Sequence, residues 1–356
     1  MQRIDEQKLL LAWYDENRRI LPWREDPSPY HVWVSEIMLQ QTRVEAVKGY
    51  YTRFLAALPD IRSLAEAEED VYLKLWEGLG YYSRVRNLNK GAQQIMDQYG
   101  GQMPHTSKEL QKIAGIGPYT GAAIASIAFG ERIPAIDGNL LRIFARRTAY
   151  GDDIKTPQAK KAAEAFFLEC FPYDRPGDYN QALMDLGAAI CLPNGAPHCE
   201  NCPWADLCEA HARGTETVYP AAAPQKARRI DEKTVFLIYY ADMLALAKRP
   251  EKGLLAGLYE FPNANGKLSA EEAVEYVKGL GFSALQIRPL PEAKHIFTHR
   301  EWHMTGYEIR ADEWQQAPER KEKTDIFLAS EEEMRDKYSI PSAFSYYVKE
   351  IRFRKH

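Results

Sequence analysis

The chain has 356 residues, too many for one hydrophobic core, so two or three domains are expected. With 45% hydrophobic and 12% aromatic residues and a mean hydropathy of -0.47, the composition fits an ordinary soluble globular protein, and no low-complexity tract or fixed-period repeat stands out. A net charge of -4 does not advertise a nucleic-acid binder; alone it favours a metabolic enzyme, although phosphate binding depends on a local basic face rather than on the total.

The chain opens MQRIDEQKLLLAWYDENRR, with charges where a signal peptide needs an apolar stretch, so a cytoplasmic, reducing address is expected. A monomer is the default expectation, and no feature of the sequence carries it. The strongest apolar run, around Ala122–Phe129, is too short to span a bilayer. Residues 1–220 read mainly as helix, with apolar residues at three- and four-residue steps (Trp33, Ile37, Val44, Val47, Tyr51, Phe54) and helix stops at YGGQMP and FGERIP.

In HVWVSEIMLQQTRV, Glu36 has apolar neighbours one turn away whichever face is buried. Burial disfavours the charged carboxylate, and a carboxyl that stays neutral near pH 7 can act as a general acid. Further on, GIGPYTGAAIASIAFG places Gly115 and Gly117 at a turn between two helices, the second starting near Pro118–Thr120. The unpaired backbone N–H groups there form a small anion site suited to a DNA phosphate. Asp137 follows in RIPAIDGNLLRIFARR and alone reads as a helix N-cap. Cys170 reads as a buried apolar thiol. Four more cysteines, C-x7-C-x2-C-x5-C from Cys191 to Cys208, read as metal or cluster ligands, and spacing leaves zinc and iron–sulfur equally open. From 213 to 229 the chain loses its pattern and reads as a linker. Beyond it, TVFLIYYADMLALAKRP reads as two strands joined at Ala241-Asp242, SAEEAVEYVKGLGF as a helix capped by Ser269 and Glu272, and HMTGYEIRA as strand.

The glycine turn, its Gly-Pro and an aspartate twenty residues after Gly117 resemble the helix–hairpin–helix DNA glycosylases, and SEIMLQQT is similar to the catalytic helix of MutY-type adenine DNA glycosylases. LPWR, WEGLGYYSRVRNL and NQALMDLGA extend the resemblance over nearly the whole chain. It implies a multidomain fold: an all-α helix–hairpin–helix glycosylase region with an iron–sulfur cluster loop, then an α+β Nudix-like domain. The expected boundaries are an all-α region at 1–215 (a six-helix domain at about 22–130, a cluster domain from about 1–21 plus 131–215), a linker at 216–230 and the Nudix-like domain at 231–356.

The resemblance further implies a monofunctional glycosylase acting on double-stranded DNA at adenine opposite 8-oxoguanine, with no membrane role. Glu36 would protonate the flipped adenine, Asp137 would stabilise the sugar cation, Asn139 would sit near the water and Asp137, and Tyr119 would assist at the sugar. A lysine at the position of Tyr119 marks the endonuclease III branch, where it attacks the sugar and permits strand cleavage; tyrosine has no amine for this. Trp23, Arg24 and Gln181 would line the base pocket, and Gln41, Leu79 and Tyr81 would wedge into the stack. Cys191, Cys199, Cys202 and Cys208 would hold a [4Fe–4S] cluster, although the family usually has six residues in the first gap where this chain has seven, and the glycine turn is a candidate cation site. Phe297-Thr298-His299 matches the family's Phe-Ser-His loop, which reads 8-oxoguanine. Lys278-Gly279 stands where a Nudix hydrolase needs Glu-Glu, which predicts recognition without hydrolysis. The rivals are an endonuclease III-like glycosylase/lyase for oxidised pyrimidines, a non-catalytic iron–sulfur DNA-binding protein and a nucleotide hydrolase.

Overall fold

A computed structural model describes residues 2–221, 227–315 and 326–353. The centre of the expected linker, residues 222–226, lies outside the described residues. Two compact units form: one from the residues up to Ala67 and from Arg84 to the linker, the other from Glu68–Ser83 and the chain beyond the linker. No described helix is long and apolar enough to cross a membrane.

The first unit is helical. Proline stands in the first turn of the helices Pro22–Glu25, Pro29–Leu39, Pro118–Phe129, Pro157–Glu169 and Pro176–Ala189. Its fixed φ suits that position, and its missing N–H costs nothing where no intrahelical partner exists. One core gathers Leu10, Tyr14, Leu140, Phe144, Phe167, Tyr179, Leu183 and Trp204. The Pro29–Leu39 helix packs on the Pro118–Phe129 helix, which also packs on the Pro176–Ala189 helix; the last supports the Gly138–Thr148 helix as well. Helices from four distant parts of the sequence are thereby brought together.

The second unit is built on a mixed sheet: β1 Arg229–Tyr240, β2 Met243–Lys248, β3 Tyr259–Glu260, β4 Asn263–Asn265, β5 Phe282–Ile296, β6 Arg300–Trp314 and β7 Ile326–Ala329. The main order is β3-β2-β1-β6-β5, with β4 beside β1 and β7 beside β2. β1 runs parallel to β6 from Arg229↔Arg300 to Tyr240↔Ala311, and the other pairings are antiparallel. The expected β1–β2 turn is at Ala241-Asp242, with Ala241 left-handed at φ 50°. Ser269 and Glu272 form the expected capping box of the Ala270–Gly279 helix. The sheet covers one apolar cluster with Phe236, Ala273 and Val277, and a second with Trp302, Phe344 and Tyr347.

Candidate active site

Glu36 lies in the middle of the Pro29–Leu39 helix, whose residues Val32, Trp33, Val34, Ile37 and Met38 are all buried. Such a helix is packed all round, so its one carboxylate is only 6% exposed. Burial raises its pKa to about 7, helped by the nearby charge of Asp137 and opposed by a hydrogen bond from Tyr119 and by Arg24. The helix's C-terminal carbonyls are satisfied by Arg84, whose Nη1 donates to Ile37 O at 2.8 Å and Gln40 O at 2.6 Å.

Tyr119 enters from the first turn of the Pro118–Phe129 helix, and its Oη donates to Glu36 Oε2 at 2.6 Å. The turn before it is the expected one, but only Gly115 uses glycine's freedom, with φ 79°; a Cβ there would lie 2.8 Å from Asn87 Cβ. Gly117 keeps an ordinary φ of -87° as N-cap and supplies no side-chain cap, which leaves the Tyr119 and Thr120 amides without intrahelical partners.

Asp137 is the N-cap of the Gly138–Thr148 helix, accepting from Leu140 N at 2.8 Å through Oδ1. Its other oxygen accepts from Asn139 Nδ2 at 2.8 Å, so one carboxylate both caps the helix and meets the Asn139 amide. Burial raises the Asp137 pKa, and the bonds from Leu140 and Asn139 oppose the rise. Arg142 Nη2 donates to Asn139 Oδ1 at 2.9 Å and fixes the amide; its Nε donates to Cys191 O at 2.8 Å.

Glu36, Tyr119, Asp137 and Asn139 line one cavity of about 230 Å³ together with Trp23, Arg24 and Gln181. All four expected catalytic residues and all three expected pocket residues are therefore adjacent. Trp23 is buried edge-on against Tyr51. Arg24 is clamped by Asp185 in a bidentate pair at 2.7 and 3.0 Å, and Arg19 Nε reaches the same carboxylate at 2.7 Å. No lysine lines this cavity among the described residues.

The four clustered cysteines line a second cavity in the same unit. Burial, with the mutual repulsion of the thiolates, raises Cys199 to about 11 and Cys202 to about 12. None is in a disulfide. Four soft, unbridged sulfur donors facing one cavity fit a cationic metal centre, and Arg146 Nη1 donates to Cys191 Sγ at 3.2 Å. His198 is exposed. Cys170 is buried, with Sγ 3.2 Å from Tyr179 Oη.

Two of the expected wedge residues are left-handed without being glycine: Gln41 at φ 57° and Tyr81 at φ 47°. Such backbone costs on the order of 1–3 kcal/mol and gathers at functional sites. Gln41 and Tyr81 are exposed, whereas Leu79 is buried at 7%. In the second unit, Phe297, Thr298 and His299 form the tight turn between β5 and β6, with Phe297 packed edge-on to Trp302 at 5.0 Å. Thr298 Oγ1 lies 2.6 Å from Tyr81 Oη, so the expected wedge residue and the expected recognition loop share a hydrogen bond. Glu271 and Glu272 are bonded at their own helix cap, and exposed Glu275 faces Lys278 at 3.9 Å.

Sequence reasoning missed Asp185, Arg142, Arg84 and Asn180. NQALMDLGA carried a signal for the first and last: Asn180 and Asp185 fall among apolar residues at helical spacing, where an unpaired polar group is costly. Arg84 and Arg142 carried none.

A family model described as HhH-GPD superfamily base excision DNA repair protein matches residues 34–169, and one described as NUDIX domain matches residues 234–350. The chain is similar to the adenine DNA glycosylase of Mus musculus, 34% identical over 362 residues, covering 85% of this chain and 70% of the mouse protein. The adenine DNA glycosylase of Buchnera aphidicola subsp. Schizaphis graminum is 34% identical, covering 76% and 77%. That of Homo sapiens is 35% identical, covering 82% of this chain and 64% of the human protein, so the chain spans under two thirds of that relative. Among solved structures, a thermostable thymine-DNA glycosylase matches with TM-score 0.54 and 28% identity over 59% of this chain and 97% of that one. A non-covalent endonuclease III–DNA complex matches in fold, with TM-score 0.51 and 18% identity over 60% and 98%.

Proposed function

The chain belongs to the adenine DNA glycosylases, and from that premise we propose that it removes adenine lying opposite 8-oxoguanine in double-stranded DNA, hydrolysing the N-glycosidic bond and leaving the strand uncut. The observation that carries the reading is a buried glutamic acid, hydrogen-bonded by a tyrosine, in one cavity with a capped aspartate.

Glu36 and Asp137 are two carboxyls in unequal settings. Burial, and after it the charge of Asp137, raises the Glu36 pKa and keeps a proton on Glu36. Glu36 then protonates a ring nitrogen of the flipped base, which departs as a neutral purine with the glycosidic electron pair. The sugar passes through an oxocarbenium-like state, and the ionised Asp137 stabilises it. Water adds to the sugar carbon, and Glu36, now a carboxylate, takes the water's proton. Asn139 holds Asp137 in place throughout. Tyr119 offers no amine, so no Schiff base forms and the phosphodiester survives.

Cys191, Cys199, Cys202 and Cys208 would hold a [4Fe–4S] cluster, a fit supported by four unbridged thiols facing one cavity beside Arg146. When bound, it ties the Cys191–Cys208 loop to the helical unit. In the second unit, Thr298 and Tyr81 would meet 8-oxoguanine as a coupled pair.

Labelled duplexes carrying A opposite 8-oxoguanine, A opposite T, and thymine glycol opposite A, read with and without alkali, test the reading. It predicts alkali-dependent breaks at A opposite 8-oxoguanine alone. Nicking at thymine glycol without alkali would assign the endonuclease III-like activity instead.

A further inference from the structure

Asp137 is held from the cavity side by its own helix, but what aligns that helix start lies behind it. The Pro176–Ala189 helix touches the chain on both sides of Asp137 through two residues two turns apart on one face, neither of which lines the cavity. Before Asp137, the fully buried Asn180 uses its whole amide as a clamp: Nδ2 donates to Ile133 O at 2.9 Å and Ser126 Oγ at 2.7 Å, and Oδ1 accepts from Ala135 N at 3.0 Å. After Asp137, Gly187 lies flat against Asn139. A Cβ on Gly187 would sit 2.7 Å from Asn139 Cβ, closer than real Cβ atoms come, and 3.2 Å from its Oδ1. The Gly187 carbonyl accepts from Arg142 Nη2 at 2.7 Å, the same nitrogen that fixes the Asn139 amide.

Glycine inside a helix is less favourable than alanine, so its presence there calls for a local reason. We propose that Asn180 and Gly187 are positioning residues for the reaction. Asn180 pins the segment leading into Asp137, and Gly187 leaves the space in which Asn139 can hold the Asp137 carboxylate. Neither touches the substrate. The proposal rests on the role given to Asp137 above.

The test is single-turnover excision of adenine opposite 8-oxoguanine, with active fraction read from amplitude and affinity from an uncleavable duplex. Asn180→Ala and Gly187→Ala should each lower the rate constant about 10²-fold, the scale of a small misplacement of a reacting group, with affinity unchanged and active fraction near that of the parent. Asn139→Gly removes the side chain that Gly187→Ala would strike. Adding Gly187→Ala to Asn139→Gly should therefore change the rate constant by no more than about twofold. This arm also reads the idea if Gly187→Ala alone folds poorly. A parental rate constant in Gly187→Ala, a loss confined to active fraction, or a loss that multiplies in the double variant overturns the proposal. Asp137→Asn separates the two levels: if it is inactive while Gly187→Ala is parental, only the positioning role fails, and if it is active both fall.

Discussion

The Tyr119 hydroxyl donates to Glu36 Oε2 at 2.6 Å, a bond across 83 residues of sequence, and among the described residues it is the one hydrogen bond made to the Glu36 carboxyl. It restrains the acid while leaving Oε1 for a base. Because the bond favours the ionised form, it holds the Glu36 pKa below what burial alone would give. Tyr119→Phe should therefore shift the alkaline limb of the pH–rate profile to higher pH; a shift to lower pH contradicts the assignment.

Asp137→Asn removes the charge and keeps the size. Asparagine is as good an N-cap as aspartate, so the Gly138–Thr148 helix should keep its start, with the bond from Asn139 Nδ2 the one contact given up. The cation at the sugar loses its counter-charge, and single-turnover excision should fall about 10²–10³-fold. Excision at the parental rate would remove Asp137 from the mechanism.

Glu36 should also be a stability liability. It binds its proton more tightly folded than unfolded, with a pKa of about 7 against 4.5. Between those values the folded state holds the proton that the unfolded state has released, so stability falls as pH rises through the window, by about 3 kcal/mol in all. Glu36→Gln removes this dependence. It should unfold at a higher temperature than the parent at pH 8 and show no gain at pH 4; an equal difference at both pH values speaks against the buried acid.

Much of this site was readable in the sequence. Glu36 stood out because an acid among Val32, Trp33, Ile37 and Met38 has few ways to avoid burial, and the Pro118 start was fixed by proline's own geometry. What could not be read was partnership over distance. Tyr119 reaches Glu36, and Arg142 reaches Cys191, only once distant helices have packed. Nor does the left-handed backbone of Gln41 and Tyr81 have a sequence signal, since neither is glycine. The grouping of Glu68–Ser83 with the second unit is likewise tertiary: Lys74 Nζ donates to Met334 O and Tyr338 O, carbonyls about 260 residues away.

The Thr298–Tyr81 bond leads to a prediction about base choice. Thr298→Val keeps the shape and removes the hydroxyl, leaving Tyr81 without that partner. The ratio of excision rates for A opposite 8-oxoguanine over A opposite G should fall about tenfold, the worth of one hydrogen bond at a recognition site. An unchanged ratio would place discrimination elsewhere.

The proton held by Glu36 is the centre of the chemistry. Single-turnover excision from the A:8-oxoguanine duplex should be measured from pH 5 to 9 for the parent and Glu36→Gln. The parent's rate should fall about tenfold per pH unit above a midpoint near 7, where Glu36 ionises, and Glu36→Gln should be slower by at least about 10²-fold below pH 7 and show no such fall. A parental profile flat to pH 9, or excision by Glu36→Gln at the parental rate, would contradict it.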